Sequence, residues 1–209
     1  MALEWPTCML VSGPSGCGKS TFVHKILQNP SAVYKGVNPG VIIFSYNEYQ
    51  PGYEAFASNP KVIMVEGLPD LDMLKSHKNQ RPLLVLDDQM VNMDRWSDAE
   101  KLFTVCSHHY QMSIIAIIHS IFYSKTIRTL RMHASYLALF KNNNDRLEIR
   151  NLATQLNPMN RKFFIDVYED CTRFPHSYLF VDLHKTTDEK FRLRNNIFPD
   201  TPTYCYLPK

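Results

Sequence analysis

Glycine is scarce in this chain, with seven residues in 209. A metal-type cysteine pair is missing too: the five cysteines stand apart at 8, 17, 106, 171 and 205. None forms C-x-x-C, so neither a zinc site nor a disulfide framework is suggested. No apolar run reaches the length that spans a bilayer. The N-terminus carries Glu4 and no basic flank before its first short apolar run, unlike a signal peptide. There is no internal repeat and no low-complexity linker, so one domain is expected over residues 1–209. An excess of one sign of charge is also lacking, with 23 Lys and Arg against 20 Asp and Glu. The net charge of +3 and an isoelectric point near 8.5 permit a nucleic-acid partner without demanding one. These absences point to a cytosolic or nuclear globular protein, and Cys17, placed inside a loop, favours a reducing compartment.

The few glycines are concentrated. Gly13, Gly16 and Gly18 fall in the run Gly13-Pro14-Ser15-Gly16-Cys17-Gly18-Lys19-Ser20, which fits the phosphate-binding pattern G-x-x-x-x-G-K-[ST]. The apolar run Cys8 to Val11 before it reads as a buried strand. Thr21 to Leu27 after it reads as a helix with Phe22, Val23, Ile26 and Leu27 apolar. Glycines there let backbone N–H groups curl around an anion, and the helix N-terminus adds partial positive charge. Lys19 is expected between the β- and γ-phosphates and Ser20 on Mg²⁺, with Thr21 closing the nucleotide-binding set.

Apolar runs recur at 8–11, 41–44, 62–65, 83–86, 114–118, 136–140 and 178–183. Between them, helices are expected over 20–28, 70–77, 94–108, 145–156 and 160–170. Continuous apolar strands alternating with helices predict an α/β fold: a mainly parallel sheet covered on both faces. Pro30, Pro51, Pro69, Pro82 and Pro158 fall between elements and support the cuts. The tail, about 184–209, turns polar and then proline-rich and is read as an extended arm.

The strand Leu83-Leu84-Val85-Leu86 ends in Asp87-Asp88. An apolar strand ending in two carboxylates is the Walker B pattern. Asp87 is expected to hold Mg²⁺, directly or through water, and Asp88 to orient or deprotonate the attacking water. The runs at 41–44 and 62–65 lie between loop and acids, which suggests the additional-strand class of P-loop ATPases. The strand 114–118 ends at His119-Ser120, and strand C-termini line the ligand crevice in such folds. His119 is therefore the candidate γ-phosphate sensor. His108-His109 lacks carboxylate or cysteine partners at ligand spacing and reads as a helix end rather than a metal site. Lys125, Arg128 and Arg131, then Lys141, Arg146 and Arg150, form a basic cluster. An arginine reaching a neighbour's γ-phosphate would neutralise transition-state charge; Arg128 is the first choice and Arg146 the second. The same cluster could contact DNA phosphates.

Taken together, 8–25, Phe44 to Tyr53, Glu66 to Pro69, 83–88, Cys106-Ser-His-His-Tyr110 through Phe122, 136–143 and 178–198 resemble the viral DNA-packaging ATPases of the FtsK–HerA superfamily. The resemblance is nearest to the Polinton/adintovirus type, relatives of the poxvirus-type packaging ATPase. It covers nearly the whole chain. The Ser-His-His segment and the end carrying Arg192-Leu-Arg194-Asn195 are more specific than the Walker motifs. Similar proteins tend to carry Gln-Asn where this chain has His119-Ser120. The resemblance implies an ATP- and Mg²⁺-dependent motor, a homo-oligomeric ring of five or six subunits. It would pump double-stranded DNA into a preformed capsid, docking on a capsid or portal-vertex protein. No membrane is involved. The setting would be the host nucleus or a cytoplasmic virus factory.

Other readings of the loop are a guanylate-type kinase, an ABC-transporter ATPase, a non-hydrolysing assembly scaffold, and a DNA helicase or segregation pump of the same superfamily. No second nucleotide-binding pattern supports the kinase, and no L-S-G-G-Q-like signature supports the transporter. Lys19, Ser20, Asp87 and Asp88 together argue against the scaffold. The helicase or pump shares the motor chemistry and stays open.

Overall fold

The computed structural model describes residues 2–95, 102 and 109–208. In chain order the elements are β1 (Cys8–Ser12), α1 (Lys19–Gln28), α2 (Pro30–Val33), β2 (Ile42–Tyr46), α3 (Glu54–Ala57), β3 (Val62–Glu66), α4 (Leu71–Ser76), β4 (Leu83–Asp87) and α5 (Met90–Arg95). There follow β5 (Ser113–Ile118), α6 (Lys125–His133), β6 (Tyr136–Phe140), α7 (Arg146–Leu156), α8 (Arg161–Cys171), β7 (Tyr178–Asp182) and β8 (Leu193–Arg194). The strands form one sheet in the order β3-β2-β4-β5-β1-β6-β7-β8. The first six are parallel, and β7 and β8 are antiparallel to their neighbours.

The expected α/β sheet is present, and each interior strand is mostly apolar and buried because both faces are covered, with polar residues such as Ser12, Asp87 and Asp182 at strand ends. Alternate residues serve opposite cores. Cys8 and Leu10 pack with the core that includes Leu130, Leu152 and Phe164. Met9 and Val11 pack with Phe22, Ile26 and Phe44. Burying each such aliphatic side chain contributes about 1.5–3 kcal/mol.

Sequence order misleads about which strand separates the two Walker strands. The runs at 41–44 and 62–65 precede the acids in sequence, but β2 and β3 lie beyond β4 at the sheet edge. The strand between β1 and β4 is β5, paired with both. Right-handed crossovers let a later strand enter between earlier ones, so chain order does not give sheet order. The same logic turns β7 around. A single helix after β6 would return the chain parallel, but the α7–α8 hairpin brings it back at the opposite end, and β7 runs antiparallel.

Helix boundaries follow local chemistry. Asp70, Asp145 and Asn160 each accept an N–H from the first turn of the helix they precede, as N-caps do. A helix runs over Met90–Arg95, overlapping only the first two positions of the one expected over 94–108; most of that expected span, including Cys106 and His108, lies outside the described residues. The segment expected as an arm is largely irregular, but it is tied to the body. Within it β8 pairs with β7, and Arg194 bridges to Cys205.

Candidate nucleotide-binding site

A cleft of about 720 Å³ opens at the C-terminal rim of the parallel strands. Its lining includes Ser15, Gly16, Gly18, Lys19, Ser20, Thr21, Asp87, Asp88 and His119. Three separate stretches of sequence thus converge at the ends of β1, β4 and β5. The strand order makes this happen, because β5 brings His119 between the loop and the acids.

The loop requires its glycines. A Cβ on Gly13 would lie 2.7 Å from Phe140 Cβ and 2.8 Å from Cys17 Sγ. Gly18 has φ of 106° and supplies no side-chain cap to α1, whose first turn contains no acidic residue. The first-turn N–H groups and the positive end of the helix dipole are therefore left for an anion. Lys19 is buried, and its Nζ donates to Gly13 O at 2.7 Å and Pro14 O at 2.9 Å. Burial pulls its pKa down, while the charges of Cys17, Asp87 and Asp88 oppose that.

The two carboxylates stand in different surroundings. Asp87 is buried, and its Oδ2 accepts a 2.7 Å hydrogen bond from the Tyr53 hydroxyl. Burial raises its pKa, partly offset by that bond. Asp88 has φ of 54°, the left-handed region that Asp and Asn tolerate better than most residues. Its side chain is 48% exposed, and Oδ1 lies 3.5 Å from His119 Nε2. Asp87 and Ser20 offer the hard oxygen donors that suit Mg²⁺. Among the described residues no group of three or more His, Cys, Asp or Glu forms a complete metal cage. Of the pair His108-His109, only His109 is described, and it is exposed.

The basic cluster divides. Arg128, Arg146 and Arg150 are exposed, while Arg131 is buried, its guanidinium 4.1 Å over the Phe122 ring. Ile127, Leu130 and Arg131 share the inward face of α6. Arg128 does not line the cleft of its own chain.

Several lining residues escaped the sequence reading. The antiparallel β7 starts at the rim, so His176 and Tyr178 reach the loop from outside the parallel set. His176, with φ of 61°, sets Nδ1 3.3 Å from Cys17 O. Phe22, Tyr178 and Phe198 form an aromatic wall of the cleft, their rings meeting edge to face at 4.7 and 5.5 Å from Phe22. Asn196 fixes that wall by donating to Phe198 O and Thr201 O and accepting from Phe198 N. Gln50 lines the cleft from the loop after β2. The one local signal was the aromatic run Tyr46 to Tyr53; nothing local marks 176 or 196.

No family model and no curated protein matches the chain. Among solved structures, it is similar to the genome packaging NTPase B204 of Sulfolobus turreted icosahedral virus 2, in complex with AMPPCP, with TM-score 0.53 and 11% identity. That match covers 87% of this chain and 95% of the other. It is also similar to the Thermomonospora curvata EccC (ATPases 2 and 3), with TM-score 0.52 and 17% identity, over 94% of this chain and 37% of that one. The cytoplasmic domain of EssC gives TM-score 0.51 at 14% identity, over 97% of this chain and 40% of that one. The α/β sheet, with its loop and acids at one rim, is that of the P-loop ATPases.

Proposed function

We propose that the chain is an ATP-hydrolysing motor that moves double-stranded DNA into a viral capsid. The observation that carries this reading is the convergence of the Lys19 loop, Asp87, Asp88 and His119 in one cleft. Likeness to a viral genome packaging NTPase along nearly that protein's full length adds to it. The likeness to EccC and EssC, spanning well under half of each chain, favours a secretion-type motor less.

ATP enters with its phosphates on the loop N–H groups and Lys19. Ser20 and Asp87 would hold Mg²⁺, which when bound supplies charge neutralisation on the β- and γ-phosphates. Asp88, exposed to the cleft, takes the proton of the water that attacks the γ-phosphorus as the bond to the ADP oxygen breaks, and His119, 3.5 Å from Asp88, is the γ-phosphate sensor. Phe22, Tyr178 and Phe198 offer aromatic surface to the base. Arg128 from the next subunit of a five- or six-membered ring neutralises transition-state charge. DNA is held by phosphate contacts, for which Lys141, Arg146 and Arg150, lining one groove, are the candidates. The finer family, Polinton/adintovirus- or poxvirus-type, the docking on a capsid or portal-vertex protein, and the nuclear or virus-factory setting belong to the same reading. Among the described residues no helix is long and apolar enough to cross a membrane.

The test is ATP turnover with and without double-stranded DNA, with the assembly mass measured in parallel. DNA-stimulated turnover by a multimer is expected. Turnover that requires GMP, or a monomer indifferent to DNA, would overturn the motor reading.

A further inference from the structure

We propose that Tyr53 is a positioning residue for the metal site, holding the Asp87 carboxylate in place through its phenol; the inference rests on the ATPase reading above. A buried carboxylate is costly unless hydrogen-bonded. The Tyr53 hydroxyl donates to Asp87 Oδ2 at 2.7 Å, with both residues buried. That bond fixes the carboxylate's orientation and leaves Oδ1 and a second lone pair of Oδ2 for a cation or its water.

The hydroxyl is preorganised because the ring is gripped. Its centroid lies 5.0 Å from that of Phe44, 5.6 Å from Tyr46, 5.8 Å from Tyr49 and 6.1 Å from Phe56. Pro51 opens a single 3₁₀ turn through Tyr53 that runs directly into α3, leaving the backbone little freedom. The segment also starts beside its target, since Tyr46 pairs with Asp87 across β2 and β4. A group that orients a metal ligand typically costs 10–100-fold in metal affinity when lost. Tyr53 meets that description from an element separate from both Walker motifs.

Tyr53→Phe removes one oxygen and keeps the ring and its packing. Mn²⁺ affinity in the presence of a non-hydrolysable ATP analogue, read by electron paramagnetic resonance, reports the metal site without turnover. For Tyr53→Phe the Mn²⁺ Kd should rise about tenfold. Affinity for the analogue without divalent cation should stay at the wild-type level, and the Mg²⁺ concentration for half-maximal turnover should rise in step with the Mn²⁺ Kd. In an Asp87→Ala background, Tyr53→Phe should add nothing. A lowered melting temperature with unchanged Mn²⁺ affinity would show a merely structural role and overturn the proposal, leaving the ATPase reading intact. Wild-type protein that binds neither analogue nor Mn²⁺ would sink both.

Discussion

The rim of the parallel strands and the antiparallel edge of the same sheet treat charge in opposite ways. At the rim, Asp88 and His119 are 48% and 46% exposed and stand 3.5 Å apart. At the edge, Arg194 and Asp182 are 1% and 6% exposed, joined at 2.8 Å. Asp182 also accepts from His184 N and Thr187 Oγ1. The edge pairs these two charges with each other, although Arg194 Nε stays buried without a partner among the described residues; at the rim Asp88 and His119 remain open to something from outside. The rim also holds two of the four non-glycine residues with positive φ among the described residues, Asp88 and His176; the other two, Arg81 and Gln111, precede β4 and β5. Strain of that kind costs roughly 1–3 kcal/mol per residue and persists only where the surroundings enforce it. Stability and chemistry are thus housed in adjacent parts of one sheet, and substitutions should separate them.

The largest effect should come from the trans cation. Arg128→Ala should leave folding and ATP binding intact and lower turnover by about 10³–10⁵. Mixing it with Lys19→Ala subunits should restore part of the activity. Failure to do so in proven mixed assemblies would reject Arg128 and pass the role to Arg146. Arg131, packed on Phe122, is not presented to a neighbour. Next, Asp88→Asn should bind ATP normally and lose about 10²–10⁴ in turnover. Asn keeps the left-handed backbone, so a melting temperature near wild type should accompany the loss. If Asp87→Asn instead gives the bound-but-inert phenotype, the two acids exchange roles.

At the edge the signature should invert. Arg194→Met leaves a buried carboxylate without its cation, a change that usually costs 3–5 kcal/mol. The two other donors to Asp182 place the expected loss near the low end, about 3 kcal/mol in urea denaturation. Affinity for an ATP analogue should hold for the fraction that remains folded. Smallest of all, Tyr206→Phe removes the 2.6 Å bond to Asp170 on α8 and should cost about 1 kcal/mol. An edge variant that stops turnover without touching stability would erase the division between the two regions.

The parts legible in sequence are those whose signal is local. The loop, the Walker B acids and the apolar strands each lie within a few consecutive residues, and Asp70, Asp145 and Asn160 announce helices one position ahead. Helix α6 was seen only as cations; its inward positions at 127, 130 and 131 include an arginine, which blurs the apolar periodicity. The place of β5 between the Walker strands, and the arrival of His176, Tyr178, Asn196 and Phe198 at the cleft, depend on sheet order and on the α7–α8 reversal. Those are long-range properties with no adjacent marker. Tyr53 falls between, for the aromatic run is conspicuous while its target, 34 positions further on, is not.

The aromatic wall of the cleft has a consequence in time. Asn196 and Phe198 are made long after Lys19, so a growing chain carries its phosphate loop well before it has that wall complete. The lining of the cleft is complete only once residue 198 has been added. A chain interrupted between Asp182 and Asn196 would retain the motif and lack the enclosure.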